Sequence, residues 1–428
     1  MEFLIQNVIK IYFLVSIFLF ILLIPRLYYF TAAFKKQPKL KNKELNRFAL
    51  MIPARNESKI ISHLINSIKN QDYDANLFDV HIIVDHKLDP TINIVKNSLN
   101  ATIHIVPNQK RKGDALDGAI KSILKNKNLN YDAFIIIDAD NILETNFLTE
   151  MNNAMAMNRQ IIIGKKLNKN WRSFDNPNRS VISNCTGLLF IMVDELGNRY
   201  RTKHNITVSI SGSNLLVRGD LMRKLNGWPY KTLTEDYELT ANALLHGFST
   251  GYYSHAVTYT EEPKEHKASF KRRLRWLSGF SECKKLYRRK IFKKTFFEDK
   301  VKWKNIDFLY SLLPVYLFAG ISLFLGIVSL AAAAAYAIFL QPIWKTLLIA
   351  GLIPLTLIYL TMVIYTIFTL FVDRHNIKLS TKELILVVLF NPFILGEFII
   401  IFIRLFLFKN NVEWVPIDRA YYISDKDE

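Results

Sequence analysis

Two aspartates one residue apart, Asp138 and Asp140, follow the apolar run Ile135-Ile136-Ile137. Such a pair supplies the hard oxygen ligands that Mg²⁺ or Mn²⁺ prefers, above all when the ion also grips a diphosphate. The same residues would also serve simply to end a strand and cap its turn. A second acidic pair, Glu235-Asp236, opens a stretch of helical character that runs to His246. Both acids would then lie in a first helical turn, where the helix dipole favours negative charge. Lys112 sits in a basic loop, Lys110-Arg111-Lys112-Gly113, and reads equally as a ligand or as a solvated charge. Arg275 can hold a phosphate bidentately, and its neighbour Trp276 offers a face on which a sugar could stack.

The elements that must position these groups alternate. Residues 48–52 read as a strand ending in Pro53-Ala54-Arg55-Asn56-Glu57, and Ile60, Ile61, Leu64, Ile65 and Ile68 then recur at helical spacing. Residues 80–84 form a second strand, ending at Asp85, and residues 102–106 a third. A helix carrying Ala115, Leu116, Ala119, Ile120 and Leu124 precedes the strand that stops at Asp138. Alternation of this kind makes an α/β domain whose strand ends share one crevice. Further on, 160–164 reads as a strand with Lys165 and Lys166 at its exit, and Ser211-Gly212-Ser213-Asn214 as a turn. Trp171 and Trp228 read as core, and His246 and His255 as structural residues.

Apolar residues concentrate at the two ends of the 428-residue chain. The run 3–24 lacks a small-residue cleavage site and reads as a membrane anchor, with Tyr28, Tyr29 and Phe30 as an interfacial belt. Lys35, Lys36, Lys39, Lys41, Lys43 and Arg47 follow, which by the positive-inside rule places the next domain in the cytoplasm. Runs 306–340 and 346–372 are long enough to span. Asn391-Pro392 and Glu397 interrupt 384–408, which reads as re-entrant or interfacial; four full spans would put the C-terminus outside. The net charge of +19 calls for an anionic partner. Much of it flanks the apolar runs, and no helix-turn-helix, zinc or RNA-binding motif occurs, so nucleic acid is not expected. The two cysteines, Cys185 and Cys283, form no metal-binding pattern or disulfide framework. Residues 269–287, with Lys271, Arg272 and Arg273 on a cationic side, suit a helix lying on lipid headgroups.

Taken in order, these pieces resemble family 2 glycosyltransferases, in particular the membrane-integrated branch of cellulose, hyaluronan, chitin and poly-N-acetylglucosamine synthases. Pro53-Ala54-Arg55-Asn56-Glu57 is similar to the opening strand-turn, Lys112-Gly113-Asp114-Ala115-Leu116 to KGxAL, and Asp138-Ala139-Asp140 to the metal-binding DxD. Thr234-Glu235-Asp236 is similar to TED, and Arg272-Arg273-Leu274-Arg275-Trp276 to QxxRW, with arginine in place of glutamine. The resemblance implies a GT-A-like α/β nucleotide-sugar domain inserted between transmembrane helices, with Mg²⁺ or Mn²⁺ on Asp140 and Asp138. It implies donor contacts from Pro53, Ala54, Arg55, Glu57, Asp85, Lys112 and Asp138, with Asp85 on a uracil ring, although Asp85 and Glu57 also fit strand-end and helix-cap roles. Asp236 would be the general base, flanked by Glu235, with Arg275 and Trp276 completing the catalytic set. Glu413-Trp414-Val415-Pro416-Ile417 resembles a tail element of the branch, or an interfacial anchor.

The expected organisation is an anchor (1–34), a cytoplasmic catalytic domain (35–264), an amphipathic region with the RxxRW element (265–305), apolar helices (306–410) and a cytoplasmic tail (411–428). The expected protein is a multi-pass cell-membrane enzyme taking sugar from a UDP-linked donor to a growing surface polysaccharide, with export through its spans. Its partners would be the nucleotide-sugar donor, a glycan or lipid acceptor and membrane lipids; the need for a partner subunit stays open. Two alternatives accompany this reading: transfer of one sugar to a lipid acceptor, which Arg272 in place of glutamine favours, and an inactive scaffold binding anionic lipid.

Overall fold

The computed structural model describes residues 2–298, 303–311, 315–338 and 344–407. Among them, eight strands form one sheet: β1 (Phe48–Pro53), β2 (Phe78–Val84), β3 (Ala101–Ile105), β4 (Ala133–Ile136), β5 (Ile142–Leu143), β6 (Ile161–Asn168), β7 (Leu215–Arg218) and β8 (Thr250–Thr260), in the order β3-β2-β1-β4-β7-β6-β8-β5. The first four run parallel, and β7 pairs antiparallel with both β4 and β6.

The continuous apolar runs of β1 and β4 follow from burial on both faces. Leu50, Ile52 and Ile135 pack on the helix Ile61–Lys69 through Ile61, Leu64, Ile65 and Ile68. Alternate residues Ala49, Met51 and Ile136 pack on the helix Lys112–Lys125 through Ala115, Leu116, Ala119 and Ile120. Each such branched side chain contributes roughly 1.5–3 kcal/mol by leaving water. The register Met51↔Ile136 and Pro53↔Ile83 ends three parallel strands at one level, so Ala54, Asp85 and Asp138 emerge on a shared edge.

β6 is longer than the 160–164 segment expected, and its pairing with β8 shifts at Gly164/Lys165. A Cβ on Gly164 would fall 2.3 Å from Asn214 Oδ1 and 2.4 Å from the Ala256 carbonyl, so a side chain there would force the strands apart. Lys165 Nζ reaches Asp373 at 2.6 Å and Glu195 at 3.1 Å, while Lys166 reaches the opposite group of residues described below. Trp171 and Trp228 are buried, as expected.

Ion pairs tie the sheet domain to the apolar helices. Arg179 meets Glu383 at 2.7 Å, Arg201 meets Asp307 at 2.9 Å, and Arg273 meets Glu397. Arg272 and Arg273 therefore do not face lipid headgroups: Arg273 is 1% exposed, and Arg272 packs inward. A buried cation with an acid across a helix interface gives the same sequence pattern as a lipid-facing one. Thr381–Leu407 is one helix continuing through Pro392, with Asn391 Nδ2 bonded to Thr366 Oγ1 at 2.9 Å on the helix Trp344–Val372. Among the described residues, the segments Leu355–Val372 and Thr381–Leu407 are long and apolar enough to cross a membrane. The helix Glu2–Ala33 packs beside Val315–Ile338, with Ser16 Oγ 3.0 Å from Ser322 Oγ. The tail element 413–417 lies outside the described residues.

In β2, His81 is buried between His104, 3.0 Å away, and the Tyr131 hydroxyl, 3.1 Å away. Burial and the neighbouring His104 lower the His81 pKa to about 4, and burial lowers that of His104. Both folded values lie below the unfolded one, so the unfolded chain binds more protons in this window. Stability is complete above pH ~6.5 and falls as pH drops towards 4, by about 3 kcal/mol from His81. Thermal unfolding between pH 7 and 4.5 should show this loss, and His81→Gln should flatten it; an equal slope in the variant would assign the loss elsewhere.

Candidate active site

The edge where β1, β2 and β4 end collects most of the residues singled out in the sequence. Lys112 opens its helix, and Gly113 lets that helix approach: a Cβ there would lie 2.1 Å from the Tyr230 carbonyl oxygen. Lys112 Nζ donates to Asp138 Oδ1 at 2.6 Å and to the Gly212 carbonyl at 2.8 Å, and lies 3.5 Å from Glu235 Oε1. Burial opposes the Lys112 charge, but Asp138 and Glu235 outweigh it and raise the pKa. Lys112 is thus the cation at the centre of the acidic cluster.

Glu235 and Asp236 begin the helix Glu235–His246. Asp236 Oδ1 accepts from the Tyr237 amide at 2.8 Å, which turns the other oxygen towards Gly212. Gly212 has φ +62°, and a methyl built on it would lie 3.6 Å from Asp236 Oδ2, 3.7 Å from Lys166 Nζ and 3.9 Å from Asp138 Oδ2. The turn therefore forms a small floor shared by two acids and a cation. Glu235 is 7% exposed, and burial, with the Asp236 and Asp138 charges against that of Lys112, pushes its pKa up to about 7.

Arg275 carries no hydrogen bond or ion pair among the described residues. Burial and Arg272 pull its pKa down, and Glu235, Asp138 and Asp236 are the acids that oppose this. The Arg272 guanidinium lies 5.1 Å from the Trp276 ring centroid, and Phe190 meets that ring edge-on at 5.8 Å. Asp140 Oδ1 accepts from Asn141 Nδ2 at 3.2 Å, and that same amide donates to Thr260 Oγ1 at 3.1 Å.

A second group lies along the edge at β2. Pro53 ends β1, the Ala54 amide donates to the Ile83 carbonyl at 2.8 Å, and Arg55 Nε pairs with Asp85 Oδ2 at 2.9 Å. The Glu57 amide donates to Thr91 Oγ1 at 3.0 Å. Asp85, His86 and Asp89 lie close together, but Asp89 accepts from the Asn56 and Thr91 amides, both at 2.9 Å, as a loop clamp.

Three members of the site were not singled out from sequence as functional. Lys166 is buried at the floor, bonds the Ser211 carbonyl and lies 5.3 Å from the Phe190 ring. Burial lowers its pKa while Asp138, Asp236 and Asp194 oppose this. Asp194, on the π-helical turn Asp194–Asn198, has its pKa pushed up to about 7 by burial. Glu262 is buried behind Arg272. A lysine pair inside a fully buried strand was the one available signal; Asp194 and Glu262 had none.

Asp138 and Asp140 present carboxylate oxygens at a half-buried edge beside cations, a donor set that suits Mg²⁺ or Mn²⁺ together with phosphate oxygens. The arrangement gathers the Asp138 and Asp236 carboxylates and the Lys112 and Lys166 ammonium groups around Gly212.

Residues 46–279 match the sequence model of the family described as glycosyltransferase like family 2. The probable glycosyltransferase YdaM of Bacillus subtilis (strain 168) is 25% identical over 404 residues, 88% of each chain. A probable glycosyltransferase of Sulfolobus acidocaldarius is 22% identical over 250 residues, 58% of this chain and 52% of that one. Among solved structures, the mannosyltransferase PcManGT from Pyrobaculum calidifontis, in complex with GDP-Man and Mn²⁺, covers 90% of this chain and 98% of its own at a TM-score of 0.56. At 17% identity that likeness is one of fold, a mixed α/β GT-A-like sheet. With a family match spanning the whole sheet domain and the site at its edge, the chain belongs to the glycosyltransferase family 2-like proteins and is a glycosyltransferase.

Proposed function

We propose that the chain catalyses inverting, divalent-metal-dependent transfer of a sugar from a nucleotide donor to a glycan or lipid acceptor at a cell membrane. The observation that carries this reading is the convergence of Asp138 and Asp236 beside Gly212, with Lys112 bonded to Asp138 and to the Gly212 carbonyl. An acceptor hydroxyl at that floor can lose its proton to Asp236 as it attacks the anomeric carbon. One base and no covalent nucleophile give inversion, by analogy with glycoside hydrolysis. A divalent ion on Asp140 and Asp138 would supply Lewis-acid neutralisation of the departing diphosphate. Lys112 and Arg275 face the same charge and can hold the diphosphate in line. Arg55 and Asp85, paired farther along the edge, would meet the base and ribose of a UDP-linked donor. A GDP-linked donor is the second candidate, since the mannosyltransferase of similar fold was solved with one.

The two apolar helices and the basic residues beside them support a membrane location with the sheet domain on the cytoplasmic side. Polysaccharide extension with export is the reading the family resemblance favours. Arginine at position 272, where the resemblance has glutamine, favours the second reading, one sugar passed to a lipid acceptor.

The test is nucleotide release by the purified full chain in detergent, across UDP-sugars and GDP-mannose, with Mn²⁺ or Mg²⁺ and membrane lipid. Turnover of one donor that chelation stops and Asp140→Ala abolishes is expected. Absence of turnover with every donor and lipid would overturn the proposal and leave the scaffold reading.

A further inference from the structure

We infer that Lys165 and Asp373 are positioning residues for the transfer reaction: they anchor the floor at Gly212 to the end of the apolar helix Trp344–Val372. The inference rests on the function proposed above in taking that floor as the place of reaction.

Lys165 and Lys166 are neighbours in β6, and between them they reach both ends of the connection. On the site side, Lys166 bonds the Ser211 carbonyl. The Gly164 amide donates to the Asn214 carbonyl at 2.9 Å, and Asn214 Nδ2 donates to the Lys165 carbonyl at 2.9 Å. The turn 211–214 is thus clamped to three consecutive residues of β6, where the pairing with β8 shifts register. On the other side, Lys165 Nζ lies 2.6 Å from Asp373 Oδ1 and 3.1 Å from Glu195 Oε1. Asp373 follows the last residue of its helix, and Asn376 Nδ2 donates to the same Oδ1 at 2.7 Å.

A second tether starts from the π-helical turn that carries Glu195. Asn198 Nδ2 donates to the Ser209 carbonyl at 2.9 Å, and the Ser209 amide donates to Asn198 Oδ1 at 2.8 Å. Glu195 itself pairs with Arg199 and accepts from the Tyr252 hydroxyl at 2.8 Å. The chain on either side of Gly212 is therefore held by groups that converge on Lys165, Glu195 and Asp373.

All three are buried. A buried charge group gains little over apolar side chains of the same volume, because desolvation offsets its attraction. What it supplies here is geometry, since an ammonium held between two carboxylates leaves the strand little freedom. The Gly212 carbonyl accepts from Lys112, which also holds Asp138, so a shift of the turn carries both relative to Asp236. Misplacement of about 1 Å can cost on the order of a hundredfold in rate.

The experiment compares wild type, Lys165→Met, Asp373→Asn, the double variant and Glu383→Gln, each as the full chain in detergent. Glu383 pairs with Arg179 elsewhere on the same boundary between sheet domain and apolar helices. Nucleotide-release kinetics, the thermal midpoint and hydrogen exchange of peptides spanning 208–215 are read for each. Lys165→Met and Asp373→Asn should each unfold earlier and exchange faster at 208–215. Their kcat should fall about ten- to a hundredfold, with donor KM changed less than about twofold. The double variant leaves Glu195 paired with Arg199, so it should regain most of the midpoint but neither kcat nor slow exchange. Should a single variant fail to fold, the double variant carries the same comparison. Glu383→Gln should unfold earlier yet keep its exchange at 208–215 and a kcat within about twofold of wild type. Recovery of kcat in the double variant, an equal loss of kcat in Glu383→Gln, or unchanged exchange in Asp373→Asn would each overturn the inference. A wild type that consumes no donor removes the functional reading instead. Exchange at 208–215 then decides the anchor alone: faster exchange confined to the Lys165 and Asp373 variants upholds it, and equal exchange in all refutes it.

Discussion

Asp236→Asn should bind donor as wild type does while turnover falls roughly a hundred- to ten-thousand-fold. The substitution keeps shape and removes only the ability to take a proton. The Tyr237 amide, 2.8 Å from Asp236 Oδ1, can donate equally to an asparagine carbonyl oxygen. The turn itself is rigidly placed: a Cβ on Gly279 of the helix His266–Lys293 would fall 2.5 Å from Thr234 Oγ1, so that helix is pressed directly against the residues preceding Asp236. The acid cannot relocate, and its neighbours do not depend on its charge for their bonds. Donor affinity by titration calorimetry beside kcat separates the two effects. A kcat within about fivefold of wild type would remove Asp236 from the role of base.

How much of this was legible in the sequence depends on whether a signal is local. Parallel strands β1, β2 and β4 announce themselves because burial on both faces demands unbroken apolar residues, and their polar exits mark Asp85 and Asp138. β8 does not: Thr250–Thr260 mixes tyrosines, threonines, Ser254 and His255, and its polar groups are satisfied by distant partners, such as Ser254 by Gln37. The helix Val181–Val193 was missed for a similar reason, since nearly all of its faces are covered and no polar stripe shows its period. Within the site, Lys112, Asp138 and Asp236 stood out by motif, whereas the floor at Gly212 and Lys166 arises only from contact between segments far apart in the chain. Trp276 stood out by its type, and only the packing shows the Arg272 guanidinium over its ring.

Lys112→Met should cost both turnover and stability, and the stability cost should grow with pH. The ammonium lies 2.6 Å from Asp138 Oδ1 and 3.5 Å from Glu235 Oε1, and it also satisfies the Gly212 carbonyl at 2.8 Å. Methionine fills the volume but leaves these acceptors facing one another and Asp236. Removing one partner of a largely buried pair costs roughly 3–5 kcal/mol, reduced here because Asp138 is partly open to water. The pH dependence follows from Glu235, whose folded pKa of about 7 already lies above its value in an unfolded chain. Between those values the folded state binds more protons, so stability declines as pH rises through the window. Without Lys112, the one cation opposing burial at close range is gone, the folded pKa rises further, and the decline extends to higher pH. Thermal midpoints of wild type and variant should therefore differ modestly at pH 5 and widely at pH 8. Lys112→Arg should narrow the gap by restoring charge, without restoring full turnover, because a planar guanidinium cannot reproduce the three contacts of a compact ammonium. A gap of equal size at both pH values would mean that Lys112 acts by packing alone, and that the three carboxylates are balanced from elsewhere.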